Sequence, residues 1–244
     1  PVAEASEKHG VFSTLTLPNR ASKIVAVVKK MVADGSLGKL VLYNSRLNNG
    51  PPTRYDPTPS AWHNIPSISG GGSWATEGAH GIDTYLQFVG ERQVTVVGAI
   101  ISNAMYGREI EDSAVGMLRS DDGVTGIIES GYTFPSRGGR SGDHFFRFIG
   151  SKASVFAFYG KKGEPLIEIN TSSGTEFEED LGHGERMRNV INEGLSAIQE
   201  GRVPETNILD AVSILEIQDA VYDHARLNPL TNGPYPMGAA AARP

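Results

Sequence analysis

The chain contains two hydrophobic patterns, one typical of helices and one typical of strands. Across residues 20–35, apolar residues recur at three- and four-residue steps, which predicts an amphipathic helix. Residues 39–47 (KLVLYNSRL) then have the composition of a strand. Two further amphipathic helices are predicted near the end of the chain, over residues 185–200 and 207–226. We therefore expect helices before and after a central region of strands.

Between these helices, residues 93–178 consist of short apolar segments separated by turns. Segments joined by such short turns favour an antiparallel or mixed sheet over a βαβ array. The pattern predicts an α+β fold, with an open, largely antiparallel sheet and helices packed on one face. The predicted strands are residues 93–102, 111–119, 124–134, 145–150, 153–159, 166–170 and 175–178.

The two ends of the chain have different patterns. Residues 1–9 have helical composition and are followed by Gly10, a common helix terminator. Residues 11–17 (VFSTLTL) alternate as a strand does until Pro18. Residues 229–244 are rich in Pro, Gly and Ala, which predicts a flexible tail.

The most informative segment, residues 67–90, begins with Gly70–Gly72 and continues as a predicted helix. Three consecutive glycines indicate a turn or a close approach of two backbones. On the helix that follows, Thr76 and His80 lie one turn apart, and Asp83 follows His80 by three residues. This cluster can bind a small ligand through His80. The alternative is a half-buried histidine with Asp83 as its structural partner.

Composition narrows the classes of function. The chain has 244 residues, 39% of them hydrophobic and 20% charged, as in ordinary globular proteins. Its formal charge of −6 argues against nucleic-acid binding. The sequence has no cysteine and no apolar run long enough to span a membrane, and its first residues do not resemble a signal peptide. We expect a cytoplasmic protein without thiol chemistry, metal site or membrane segment.

The segment GGGSWATEGAHGID (residues 70–83) resembles the central helix of the C-terminal domain in the Gfo/Idh/MocA oxidoreductases. The three glycines, Gly78, His80 and Asp83 match that motif, whereas Thr76 replaces the family's usual aspartate. The resemblance implies that His80 is catalytic and that Thr76 contacts the substrate. Glu77 points about 100° away from Thr76 on a regular helix, so it cannot simply take the aspartate's place.

The resemblance extends in order along most of the chain. Arg20 matches an arginine before the second helix and is expected to contact substrate or cofactor, or to be a surface residue on a loop. The EDSA and DDGVTGIIES segments resemble a family hairpin, beside which Tyr132 is expected to face the substrate. Trp62 and His63 lie in a loop that is expected to pack over the substrate cavity, although Trp62 has the alternative of covering the core.

The resemblance also implies a division into domains. Residues 1–18 look like the last helix and strand of a dinucleotide-binding domain, residues 19–228 like a substrate-binding and oligomerisation domain, and residues 229–244 like a tail. The G-x-G-x-x-G turn and the family's catalytic lysine do not occur in this sequence. NAD or NADP is therefore implied as cofactor by resemblance, and the chain alone is expected to be inactive.

These features lead to two hypotheses from different classes. In the first, the chain is part of an NAD(P)-dependent oxidoreductase that acts on the CH–OH group of a sugar, polyol or related small molecule, and it forms a homodimer or homotetramer through its sheet face. In the second, it is a non-enzymatic binding or assembly module without the dehydrogenase chemistry. Thr76 and the lack of the lysine favour the second hypothesis, whereas the helix and strand at residues 1–17 favour the first.

Overall fold

The computed structural model describes residues 1–56, 61–90, 93–135 and 142–227. The predicted tail at residues 229–244 lies outside the described residues. The long helices lie within a few residues of their predicted positions. The helical segments are α1 (Val2–His9), α2 (Lys23–Ala33), α3 (Pro66–Ser69), α4 (Ala79–Val89), α5 (His183–Glu200) and α6 (Ile208–Leu227), with 3₁₀ turns at Pro18–Ala21, Pro52–Tyr55 and Ala61–Asn64 and a π-helical turn at Trp74–Gly78.

The strands form a single eight-stranded sheet in the order β2-β3-β4-β1-β5-β6-β7-β8. The pairing of β1 with β4 is parallel, and every other pairing is antiparallel. This confirms the predicted open, largely antiparallel sheet. The strands are β1 (Leu40–Asn49), β2 (Val94–Ser102), β3 (Ser113–Ser120), β4 (Thr125–Gly131), β5 (Gly142–Gly150), β6 (Ala153–Tyr159), β7 (Pro165–Thr171) and β8 (Gly174–Glu179).

The core lies between one face of this sheet and α2, α4 and α6. Helix α4 crosses β1 and β4 closely because Gly81 has no side chain: a Cβ there would overlap Ile128 and the Ser45 hydroxyl. The Tyr43 hydroxyl donates to the Gly81 carbonyl at 3.0 Å. The Tyr43 ring contacts those of Tyr85 and Phe148 within the buried core. Helix α4 is therefore held in one position on the sheet.

The prediction of a strand at residues 11–17 is wrong, although the helix before it is confirmed. The segment forms no regular element and pairs with no strand of the described sheet. It runs beside the start of α6 instead, where the Thr14 and Thr206 hydroxyls lie 3.1 Å apart and the Ile208 N–H donates to the Ser13 hydroxyl. An alternating pattern makes a strand only where a sheet edge is available to pair with it.

The other face of the sheet combines ion pairs with exposed apolar side chains. Arg46 forms ion pairs with Glu129 at 2.8 Å and with Asp143 at 3.0 Å. At the β2–β3 end of this face, three apolar side chains are 39–46% exposed, namely Val97, Ile100 and Met117.

Candidate functional site

The Gly70–Gly72 turn is a close approach of two backbones. A Cβ on Gly72 would overlap the carbonyl of Glu111, so a glycine is required there. The Ser73 N–H donates to the Glu111 carbonyl, and the Trp74 N–H donates to its carboxylate at 2.8 Å. The Tyr222 hydroxyl of α6 donates to the same carboxylate oxygen at 2.8 Å. Glu111 is buried, which raises the pKa of its carboxyl group.

Between this turn and α4, the chain forms the π-helical turn Trp74–Gly78. Such turns are rare and are frequently found at functional sites. The Thr76 hydroxyl lies 2.5 Å from the Tyr132 hydroxyl and 3.1 Å from the Gly72 carbonyl. Burial raises the pKa of Tyr132, so its phenol stays neutral near pH 7. Thr76, which replaces the aspartate of the family motif, is thus held in a neutral hydroxyl pair.

His80 follows at the first turn of α4 and faces a cavity of about 550 Å³. The cavity lies among the Pro18–Ala21 turn, the end of β1, strands β5 to β7 and the start of α5. His80 is half-buried, and its Nδ1 is buried without a hydrogen-bond partner among the described residues. The polar residues that line the cavity are Asn19, Asn49, Glu77, His80, His144, Asp180, His183 and Arg186.

Two of these side chains, His144 and Arg186, are hydrogen-bonded to the neutral side-chain amides of asparagines. The Nε2 atom of His144 lies 2.9 Å from Oδ1 of Asn49, and Nη1 of Arg186 donates to Oδ1 of Asn19 at 2.9 Å. Burial lowers the pKa of His144. Burial also lowers the pKa of His183, with further contributions from the nearby charges of Arg186 and His80. The imidazoles of His144 and His183 are thus biased towards their neutral forms, in which one ring nitrogen donates and the other accepts.

A second polar cluster lies next to the cavity and contains Asp83. Its Oδ1 atom accepts from Nε and Nη2 of Arg20 at 2.9 and 2.6 Å. Nη2 also lies 2.8 Å from Asp210 of α6, and Nη1 donates to the Glu205 carbonyl. Both Arg20 and Asp83 are almost inaccessible, with side-chain exposures of 10% and 1%. Asp83 is therefore hydrogen-bonded to Arg20 instead of being the partner predicted for His80.

The aromatic residues of the preceding loop form a third cluster. The His63 ring stacks on both Trp62 and Tyr55, with centroid separations of 3.7 and 4.3 Å. Tyr55 meets the Tyr132 ring edge-on at 5.9 Å. The cluster reaches the cavity through Arg54, whose guanidinium forms an ion pair with Glu77 at 3.0 Å.

Of the six residues predicted for the site, His80 lines the cavity. The other five lie around it: Arg20 belongs to the Asp83 cluster, Trp62 and His63 to the aromatic cluster, and Thr76 and Tyr132 to the hydroxyl pair. Trp62 and Tyr132, which were expected to pack over or face the substrate, do not line this cavity. Their roles as substrate contacts stay predictions.

The cavity residues missed by sequence reasoning include Asn19, His144, His183 and Arg186. His144 is the last residue of the segment SRGGRSGDH, of which residues 136–141 lie outside the described residues. No local pattern marks the other three, because they meet only when α5 packs against the Pro18–Ala21 turn.

The described residues do not fit the pyrophosphate of a dinucleotide. Such a group needs free backbone N–H groups at a glycine-rich turn that opens a helix. At the Gly70–Gly72 turn, the N–H groups of Ser73 and Trp74 are already bonded to Glu111.

No group of three or more His, Asp or Glu side chains among the described residues is arranged to hold a metal ion. None of the helices described combines the length and the apolar character needed to cross a membrane.

The fold is shared with solved oxidoreductases. Levoglucosan dehydrogenase in complex with NADH and levoglucosan superposes with a TM-score of 0.73 at 19% identity, over 89% of this chain and 64% of that one. An aldose–aldose oxidoreductase from Caulobacter crescentus, complexed with glycerol, gives a TM-score of 0.73 at 19% identity, over 92% and 65%. An oxidoreductase domain protein from Kribbella flavida gives 0.72 at 19% identity, over 92% and 67%. The chain thus spans about two thirds of the length of these proteins.

At such low identities, structural similarity shows only the fold. This fold is that of a domain found in oxidoreductases. A sequence comparison defines the family. The model of the GFO/IDH/MocA C-terminal domain matches residues 25–156, which is more than half of the chain and includes α4 with His80. The chain belongs to the Gfo/Idh/MocA family. A search of curated protein sequences gave no significant match.

Proposed function

We propose that this chain is the substrate-binding and oligomerisation part of an NAD(P)-dependent oxidoreductase that acts on the CH–OH group of a sugar, polyol or related small molecule. The observation that carries the proposal is His80: within the family motif, its imidazole faces a cavity and Nδ1 has no partner among the described residues. In the proposed enzyme, NAD or NADP binds to residues outside this chain, in a dinucleotide-binding domain of which residues 1–18 are the last part.

In this proposal, His80 is the acid–base group. An imidazole that lines the cavity can accept the proton of a substrate hydroxyl as that hydroxyl is oxidised to a carbonyl, and can return it in the reverse direction. The carbonyl of His80 accepts a hydrogen bond from the Thr84 hydroxyl at 2.9 Å, which supports the backbone of this turn. Neutral His144 and Asn49 beside it offer a donor and an acceptor for further substrate hydroxyls.

The test is to express the whole reading frame that encodes residues 1–244 and to measure the formation of reduced nicotinamide with a panel of sugars and polyols. His80→Asn should lower kcat about 100-fold or more, as expected for loss of an acid–base group. His9→Asn is the matched control, because His9 is an exposed histidine on α1. Turnover by the His80→Asn variant equal to that of the control would exclude His80 from catalysis.

The non-enzymatic alternative is favoured by one observation. Thr76 stands where the family motif has an aspartate, and its hydroxyl is held by Tyr132 and Gly72 instead of being a free acid. A binding or assembly module would bind polyols at the cavity yet show no turnover with either nucleotide. Turnover that is restored or raised by Thr76→Asp would argue that the site retains its chemistry.

We propose that homo-oligomers form through the open face of the sheet. The exposed Val97, Ile100 and Met117 at one end of this face support an interface, since contiguous apolar surface is seldom left in water. Sedimentation at tens of micromolar should therefore give a dimer or tetramer, and Ile100→Lys should dissociate it. A monomer in the unmodified chain would contradict this proposal.

A further inference from the structure

Arg186 is a buried cation that the proposed chemistry does not use. It lies in the first turn of α5, is 9% exposed and lines the cavity together with His80. Nη1 donates to the side-chain oxygen of Asn19 at 2.9 Å, while Nε is buried without a hydrogen-bond partner in the described parts of the chain. Arg186 is thus positioned by an amide, and Nη2, which is not among the buried atoms, forms no hydrogen bond with the described residues and remains available as a donor.

Among the described residues, no carboxylate forms an ion pair with Arg186. The two carboxylates that line the cavity have other partners: Glu77 is paired with Arg54 at 3.0 Å, and Oδ1 of Asp180 accepts from the N–H groups of Lys23 and Leu181, each at 2.7 Å. A buried charge without a counter-ion is costly, because desolvation is not offset by Coulomb attraction. An anion in the cavity would supply that missing partner.

The histidines around Arg186 fit the remainder of such a ligand. Burial lowers the pKa values of His144 and His183, and the positive charge of Arg186 contributes to both shifts. Neutral imidazoles can donate to and accept from hydroxyl groups. The cavity, at about 550 Å³, lies within the range of small-molecule sites.

We infer that the substrate of this site is a polyhydroxylated anion, such as a sugar acid or a sugar phosphate, whose charged group binds the Arg186 guanidinium while its hydroxyls face His80 and His144. This inference rests on the proposed function and narrows its substrate class from sugars and polyols in general to their anionic derivatives. A guanidinium suits both anions, since it can donate two parallel N–H bonds to a carboxylate or a phosphate.

The test compares matched ligands on the chain as it stands. D-Gluconate and D-glucitol differ at a single carbon, carboxylate against alcohol, and D-glucitol 6-phosphate places a phosphate on the same skeleton. Calorimetric titration should show that one of the two anions binds about tenfold to hundredfold more tightly than D-glucitol, as expected for hydrogen bonds to a charged group. Which anion binds more tightly distinguishes the carboxylate from the phosphate.

Arg186→Gln should abolish this preference, so that neither anion binds more tightly than D-glucitol to the variant. Arg188→Gln is the matched control, because it removes the same charge from an exposed position on the same helix. Arg186→Lys, which keeps the charge, should retain part of the preference. It provides a second test of the charge if the glutamine variant does not fold. Histidine resonances in NMR spectra should shift on binding in the wild type and place the ligand in the cavity.

The inference is overturned if neither anion binds more tightly than D-glucitol, or if Arg188→Gln weakens anion binding as much as Arg186→Gln does. Binding of D-glucitol that is comparable with that of both anions, together with turnover dependent on His80, would leave the oxidoreductase proposal standing and remove the anionic substrate. If the protein made from the complete reading frame binds the anions but shows no turnover, the anionic ligand stands and the oxidoreductase proposal falls.

Discussion

Two polar clusters meet at the Pro18–Ala21 turn, and each contains a buried arginine with a different kind of partner. Arg20 has two carboxylates, Asp83 and Asp210, and a backbone carbonyl. Arg186 has the amide of Asn19. Asn19 and Arg20 are neighbours in sequence, so this one turn supplies a residue to each cluster.

This difference distinguishes the Asp83 cluster, which is structural, from the cavity, which is the candidate ligand site. In the Asp83 cluster, the charge on Arg20 is balanced within the protein, and the cluster ties α4 and α6 to the turn. In the cavity, the charge on Arg186 meets no carboxylate among the described residues, because Glu77 and Asp180 have other partners. Unsatisfied buried atoms do not distinguish the two clusters, since Oδ2 of Asp83 lacks a partner in the described residues just as Nδ1 of His80 and Nε of Arg186 do. A buried charge without a counter-ion is costly unless a ligand supplies one.

The largest expected effect is a loss of stability when the ion pairs of the Asp83 cluster are removed. Arg20→Met would leave Asp83 buried without its cation, so we expect the free energy of unfolding to fall by about 3–5 kcal/mol. Urea denaturation measures this loss. The double variant Arg20→Met/Asp83→Asn, which removes both charges, should recover a large part of the stability. A single variant as stable as the wild type would mean that the cluster does not hold α4 and α6 in place.

The second prediction concerns how the free energy of unfolding depends on pH through His144, a cavity residue with one neutral partner. Burial lowers its pKa from the ordinary value of 6.5, so the unfolded chain binds the proton more readily than the folded chain. Its contribution to stability is thus present above pH 6.5 and is lost as the pH falls through the folded pKa, by about 1.4 kcal/mol for each unit between the two pKa values.

This can be measured as the urea midpoint between pH 7.5 and 5, in steps of about half a unit, with the pH range set by the ordinary pKa of histidine near 6.5. His144→Gln should flatten the dependence, whereas His9→Gln should leave it unchanged because His9 is exposed. His183 shifts in the same direction and contributes to a remaining slope, whereas the raised pKa of buried Glu111 contributes a slope of the opposite sign. An unchanged slope in His144→Gln would contradict the assigned cause.

The smallest expected effect on stability is at His80. Because its Nδ1 has no partner among the described residues and the side chain faces the cavity, His80→Asn should change the free energy of unfolding by less than about 1 kcal/mol. The urea midpoint measured on the preparation used for turnover separates this from a structural role. A loss of about 1–3 kcal/mol with normal turnover per folded molecule would indicate that His80 satisfies a buried partner.

Much of the fold could be predicted from the sequence because its signals are local. The hairpin of β3 and β4, the strand pair β5–β6 and the helices α2, α5 and α6 each have a periodic pattern bounded by turn residues. Residues 11–17 had an equally clear strand pattern and form no strand, since pairing needs an edge that the pattern does not supply. The position of α4 and the candidate role of His80 came from a motif within 14 consecutive residues, 70–83.

What the sequence by itself determined is therefore the order of helices and strands, the family motif and the position of His80 on α4. The tertiary structure decided which polar groups are paired. Arg20 meets Asp83 across 63 residues, and Asn19 meets Arg186 across 167. Hydrophobic periodicity acts between residues a few positions apart, whereas the neutralisation of a buried charge depends on which distant segment packs against it.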